Sequence, residues 1–262
     1  MQKGLHRLGV ALVVLGFAWG CTKVSRMLGG GGTEFIVRVE TEKVNVDEVV
    51  ELAVKVMGSR LDAVGIDGEV ARIPDSADQI SVKVYGDQDL ETVKRFLFTT
   101  HKLELKKLIS APNPAPLTIY PTAEAAAAAT ATRQEVLRIQ EPFESRATQF
   151  VIVEAEPVIT GQDIRNADAV NRTGNTYDIS FTLKKDGAEK FGEWTGRNIG
   201  NHIAVVLDGS VVSTAYIKSQ IFDSGEISGS FSKATAEELA LNLNSGYLPA
   251  KLIVINERQF KD

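Results

Sequence analysis

The sequence predicts an α+β protein: a ferredoxin-like lobe, β-α-β-β-α-β, over residues 34–109, and a second α+β lobe with an antiparallel sheet over 149–262. Three observations predict it. Segments with strand and helix periods follow one another in that order up to residue 109. Composition then shifts toward Pro and Ala over 110–148. Beyond that shift, Asp208-Gly209, a strong short hairpin signal, lies between two apolar alternating runs.

In the first lobe Phe35, Val37 and Val39 alternate with Arg38 and Glu40, the period of a half-buried strand. Asn45, with Glu48 three residues on, suits a helix start, and Val46, Val49, Val50, Ala53, Val54, Met57 and Leu61 make one apolar face that stops before Gly65. Two strands at 68–73 and 79–85 flank the Pro74-Asp75 turn and form a hairpin. Asp89 caps a second helix that turns Leu90, Val93 and Leu97 inward, and a strand at 102–109 closes the order. In the connection, four prolines precede the alanine run 125–129, so extended chain gives way to a short helix crossing the surface between lobes.

The second lobe begins with a strand at 149–154 and a short helix capped by Thr160 with Asp163 at its third position. A strand at 177–183 follows, then a helix capped by Asp186 with Ala188, Phe191, Thr195 and Ile199 inward. The hairpin pairs 203–207 with 211–215, a strand covers 226–231, and Thr235 with Glu238 suits a capping box for a helix that turns Leu239, Ala240 and Leu243 inward. Gly246 and Pro249 end that helix, and 251–255 forms the last strand. Phe181, Phe191, Trp194 and Phe231 fall at core positions.

The chain has 262 residues, 44% hydrophobic and 24% charged, enough to bury a core, and its net charge of -5 without an aromatic-interleaved basic cluster argues against a nucleic-acid partner. Lys3, His6 and Arg7 precede an apolar run at 8–20, shorter than the roughly 20 residues a spanning helix needs and within signal-peptide range. Cys21, the single cysteine, follows Ala18, Trp19 and Gly20, which resemble a lipobox; residues 1–21 then form a signal peptide with Cys21 lipidated, the alternative being an uncleaved membrane anchor. Residues 22–33 form a Gly-rich tether. The run 29–32 is no phosphate cradle, because a strand follows it instead of a Lys-Ser/Thr helix start.

His6, His101 and His202 are the only histidines, none has metal-ligand or triad spacing, and no GxSxG elbow is present, so neither an enzyme, a metal site nor a cofactor is expected. Exposed edges of the antiparallel sheets could instead accept an extended chain by strand addition.

Four segments carry a family resemblance: LGGGGTEFIVRV at 28–39, SRLDAVGI at 59–66, the Pro157 to Ala169 segment, and SGYLPAKL at 245–252, which corresponds to SGALPAPL. With the stretch 178–252 they resemble the first periplasmic domain, base plus head lobes, of SecD, a subunit of the bacterial protein-export machinery. The resemblance implies a head that engages translocating preprotein, SecF and SecYEG as partners, and transmembrane helices after the domain. Here the acidic and basic residues of GLDLxGG give way to glycines at 29–31, and the chain stops before VGPSLG and the proton-conducting helices. The expectation is therefore a non-enzymatic export accessory without its own proton-driven motor. It would bind unfolded polypeptide outside the cytoplasm and be held by lipid or helix at the inner membrane's periplasmic face, or at the outer membrane if sorted as a lipoprotein. The alternatives are a tethered module docking on SecD-SecF or SecYEG, and a truncated SecD.

Overall fold

The computed structural model describes residues 31–41, 45–100, 102–110, 117–140 and 148–261; Cys21 and the whole segment 1–30, His101, and Pro112, Pro114 and Pro116 lie outside them. In chain order come β1 (Gly32–Glu40), α1 (Val46–Val64), β2 (Gly68–Arg72), β3 (Gln79–Tyr85) and α2 (Leu90–Phe98). Next are β4 (Leu103–Leu108), α3 (Ala123–Ala129), β5 (Gln134–Ile139), β6 (Gln149–Glu154), β7 (Ile159–Thr160) and a 3-10 turn (Gly161–Asp163). The chain then runs through β8 (Ile164–Thr173), β9 (Thr176–Leu183), α4 (Lys185–Arg197), β10 (His202–Leu207), β11 (Ser210–Tyr216), β12 (Ser224–Phe231), α5 (Lys233–Ser245) and β13 (Lys251–Phe260).

The start signals of α1 act as expected: the Asn45 side chain accepts from the Glu48 N–H, and Gly65 ends the helix at φ 67°, a left-handed conformation that glycine adopts without strain. Val49, Val50, Ala53 and Met57 from α1, with Val93 and Leu97 from α2, pack on Phe35, Val37, Ile80 and Val82 of one sheet face. That antiparallel sheet has the order β13-β1-β3-β2. Here the structure corrects the expected fold. The stretch 34–109 does not close its own ferredoxin-like lobe; the place beside β1 expected for 102–109 is taken by β13, paired from Gly32↔Phe260 to Glu40↔Lys251. Segment 103–245 is thus inserted between α2 and the strand that completes the first sheet.

The reason lies in the alternate residues of β4. Glu104 and Lys106 are 6% and 4% exposed. An open sheet would turn that polar face to water, whereas here Lys106 Nζ pairs with Glu135 and donates to the Ala155 carbonyl at 2.8 Å, and Lys102 pairs with Glu104 at 2.9 Å. β13 is tied down by different means. Glu34, buried on β1, accepts from Ser81 of β3 at 2.6 Å and from Arg258 of β13, and the Phe260 ring packs edge-on against Tyr85 at 5.5 Å. Burial raises the Glu34 pKa, but the Ser81 and Arg258 hydrogen bonds with the charges of Arg258 and Lys83 outweigh it, leaving the net value lowered from 4.5. Its contribution to stability is therefore complete above the unfolded-state value and is lost as pH falls through the lower folded-state one. Glu34→Gln should lower the melting temperature near neutral pH, and the difference should shrink as pH falls below the usual carboxylate range and Glu34 becomes protonated; thermal melts across acidic pH check it.

β4 instead joins a ring. β10 pairs with β11 and β4, β4 with β6, β6 with β5, and β5 runs parallel to β11 at Ser210↔Arg138 and Val211↔Ile139, so the five strands close into a small barrel filled by Leu108, Ile139, Val151, Val153, Ala204, Val206 and Val211. β5 corrects the expected connection over 110–148, since Gln134–Ile139 is a barrel strand. Its residues are mostly half-buried without alternation, and its partners are supplied from beyond residue 149. The short alanine helix α3 forms as expected.

β12-β9-β8 make a third sheet, whose inner face shares a core with α4, α5 and the outward Leu103, Leu105, Ile203 and Val205 of the barrel. Phe181 and Phe191 are buried there; Trp194 and Phe231 are half-buried against it. Asp208 and Gly209 take the φ values of 46° and 78° that the tight hairpin needs. Two caps differ from expectation: Lys184 occupies the start of α4 without a side-chain bond, with Asp186 in the first turn, and Ser232, not Thr235, caps α5. Ile199 lies beyond α4 and is 52% exposed rather than inward. β8, absent from the periodicity because its second half is exposed on both faces, has its outer edge clipped: Asn244 accepts from the Ala167 N–H at 2.7 Å and donates to its carbonyl at 2.8 Å. Asn244→Ala should cost about 2 kcal/mol in urea unfolding, by stranding both backbone groups.

Candidate functional site

Among the described residues the chemistry-bearing side chains do not assemble. His202 is half-buried at the start of β10, its ring edge-on to Tyr216 at 5.3 Å and its Nδ1 buried without a partner. Among the described residues no group of three His, Cys, Asp or Glu could hold a metal. Two other surfaces have the geometry of binding sites.

The first is the open sheet edge. Each of the five ring strands has a neighbour on both sides, β11 meeting β5 at Ser210 and Val211 and β4 meeting β6 at Leu108, and Asn244 blocks the edge of β8 at Ala167. The third sheet ends on its other side at β12, where Ser224 and Glu226 are exposed, and the first sheet ends at β13 and β2.

The second is a cleft of about 540 Å³ where α1 meets the turn before β8 and the end of α5. Leu52, Val56, Leu243 and Tyr247 supply apolar surface, and Lys55, Arg165 and Lys184 supply cations. Smaller hollows of about 150 and 420 Å³ continue past Tyr247 toward Lys102 and Lys251. Burial pulls the Lys102 pKa down, but the Glu104 hydrogen bond and charge leave it raised.

Behind the cleft lies Arg60, 0% exposed. Its Nη1 donates to the carbonyls of Phe96, Leu97 and Thr99 at 2.9, 3.0 and 2.7 Å, and its Nη2 to Gly246 at 3.3 Å. One guanidinium thus satisfies the free carbonyls at the end of α2 and holds the exit of α5. Burial lowers its pKa to about 10, with the Asp208 charge acting the other way, so it stays charged near neutrality.

Sequence reasoning missed the cleft, whose parts come from residues 52 to 247. One signal was available: by helical spacing Arg60 falls inside the apolar face of α1, beside Val49 and Ala53, and a buried cation there requires polar partners from elsewhere in the fold.

Residues 134–250 match the family model described as the SecDF P1 head subdomain, beginning at the first residue of β5. The protein translocase subunit SecD of Koribacter versatilis is 32% identical over 215 residues, 81% of this chain and 39% of that protein. That of Aquifex aeolicus is 33% identical over 218 residues, 81% of this chain and 40% of that protein. The chain spans about two fifths of the length of these relatives. Among solved structures, one reported as a membrane component SecDF that enhances protein export superposes with a TM-score of 0.65 at 23% identity, over 85% of this chain and 98% of that one. SecDF in its super-membrane-facing form gives 0.66 at 24%, over 89% and 31%. Motifs, relatives and shared fold agree: the chain belongs to the SecD family as a periplasmic domain of the P1 type.

Proposed function

We propose that this domain serves Sec-dependent protein export as a non-enzymatic accessory that binds translocating or unfolded polypeptide outside the cytoplasm. The observation that carries the reading is the open edge of β12, on a head whose ring strands are closed and whose β8 edge is clipped. An unpaired strand reads backbone more than side chains, which suits a binder of many sequences. Among the described residues no helix is long and apolar enough to cross a membrane. Acylation of Cys21 would supply attachment, and palmitate labelling lost in Cys21→Ser tests that part separately.

A photo-crosslinking residue at Glu226 should give adducts with a secretory polypeptide arrested during export, and one at Glu124 on α3 should not. Adducts at neither position above an unrelated exported lipoprotein would overturn the reading. Copurification of SecF or SecYEG without substrate adducts would point instead to a docking module.

A further inference from the structure

We propose that the cleft between α1 and α5 holds an extended polypeptide segment in which acidic side chains alternate with apolar ones. This rests on the reading of the domain as a polypeptide binder and adds the sequence class that it prefers.

The lining of the cleft contains no Asp or Glu, in a chain of net charge -5. Its three cations, Lys55, Arg165 and Lys184, form no ion pair among the described residues; Lys184 Nζ donates only to the Gln162 carbonyl, at 2.7 Å. Lysines beside the neighbouring hollows are already matched, Lys102 by Glu104 at 2.9 Å and Lys251 by Glu40 at 3.4 Å. The uncompensated charge therefore gathers at one end of the seam.

Beside these cations the wall carries apolar surface together with the uncharged polar Ser59, Gln162, Asn244 and Ser245. Leu52 is 36% exposed, beside Val56 and Leu243 and the half-exposed Tyr247. A phosphate or a lipid headgroup would be satisfied by the cations alone and would leave Leu52 and Tyr247 uncovered. An extended chain points successive side chains to opposite sides, so alternating acidic and apolar residues would meet the cationic and apolar surfaces at once. Tyr247 borders all three hollows, and the seam continues past it as an extended ligand needs.

The test is fluorescence anisotropy of the full chain with a short labelled peptide alternating glutamate and leucine. Companion peptides carry glutamine for glutamate, or serine for leucine. The glutamate-leucine peptide should bind, weakening with salt, and each companion should bind about tenfold more weakly. The double variant Lys55→Glu with Lys184→Glu, both exposed, should lose about tenfold for the acidic peptide and little for the glutamine one, and Tyr247→Ala should weaken both leucine peptides. Equal binding of the glutamate and glutamine peptides, unchanged binding by the charge-reversed variant, or displacement of the peptide by inorganic phosphate or anionic vesicles would overturn the assignment. Any of these with Glu226 adducts intact removes only the cleft's preference; no peptide binding together with no adducts removes polypeptide binding altogether.

Discussion

Deleting residues 251–262 is expected to unfold the first sheet. The loss removes the β13 ladder on one edge of β1, the Arg258 partner of the buried Glu34, and Leu252, which is 7% exposed in the core under α1 and α2. Losing a buried leucine alone costs about 2 to 5 kcal/mol, and the β1 backbone groups that face β13 lose their partners besides. A circular dichroism melt of the shortened chain should show a smaller, earlier transition, with hydrogen exchange becoming fast over 32–98 and staying slow in the barrel. A fragment covering 31–110 should likewise fail to fold. The arrangement read from sequence makes the opposite forecast, because a lobe closed by 102–109 would survive both changes.

The second large effect belongs to Arg60. Replacing a buried ion pair by apolar residues is often harmless because both partners go; here the partners are backbone carbonyls and remain. Arg60→Met relieves the desolvation of one cation but strands carbonyls of Phe96, Leu97, Thr99 and Gly246, at about 1 to 3 kcal/mol for each that water cannot reach. A net loss of about 3 kcal/mol is expected in denaturant unfolding. Arg60→Lys keeps the charge without the planar fork and should lie between. The amides of 246–250 should exchange faster in both variants, since Nη2 holds the exit of α5.

Periodicity made the local elements legible and left their partners open. β1, α1, the β2-β3 hairpin, α2 and the Asp208-Gly209 hairpin follow from apolar spacing, caps and turn residues within a few positions of each other. Pairing is settled at long range. LELKKL at 103–108 has the pattern of a half-exposed strand, and only the presence of Glu135 and the Ala155 carbonyl beside Lys106 shows why its polar face is buried. β5 is half-buried over its first four residues and carries no regular alternation to find. The family resemblance supplied the head but not the insertion, because it compares segments and not sheet neighbours. Of the site, Cys21 lies outside the described residues, and the cleft draws on side chains of α1, Lys184 and Tyr247 that no spacing rule joins. Arg60, a cation buried within the apolar stripe of α1, was the one local trace of it.

The proposed function stands or falls on binding of extended polypeptide by this domain. Amide hydrogen exchange of the full chain, with and without a saturating, permanently unfolded secretory polypeptide, tests it most directly. Exchange should slow in β12 and in the segments lining the cleft, around residues 52–59 and 243–247, with the barrel strands β5 and β6 unchanged. Exchange that is the same everywhere with and without the polypeptide would contradict it.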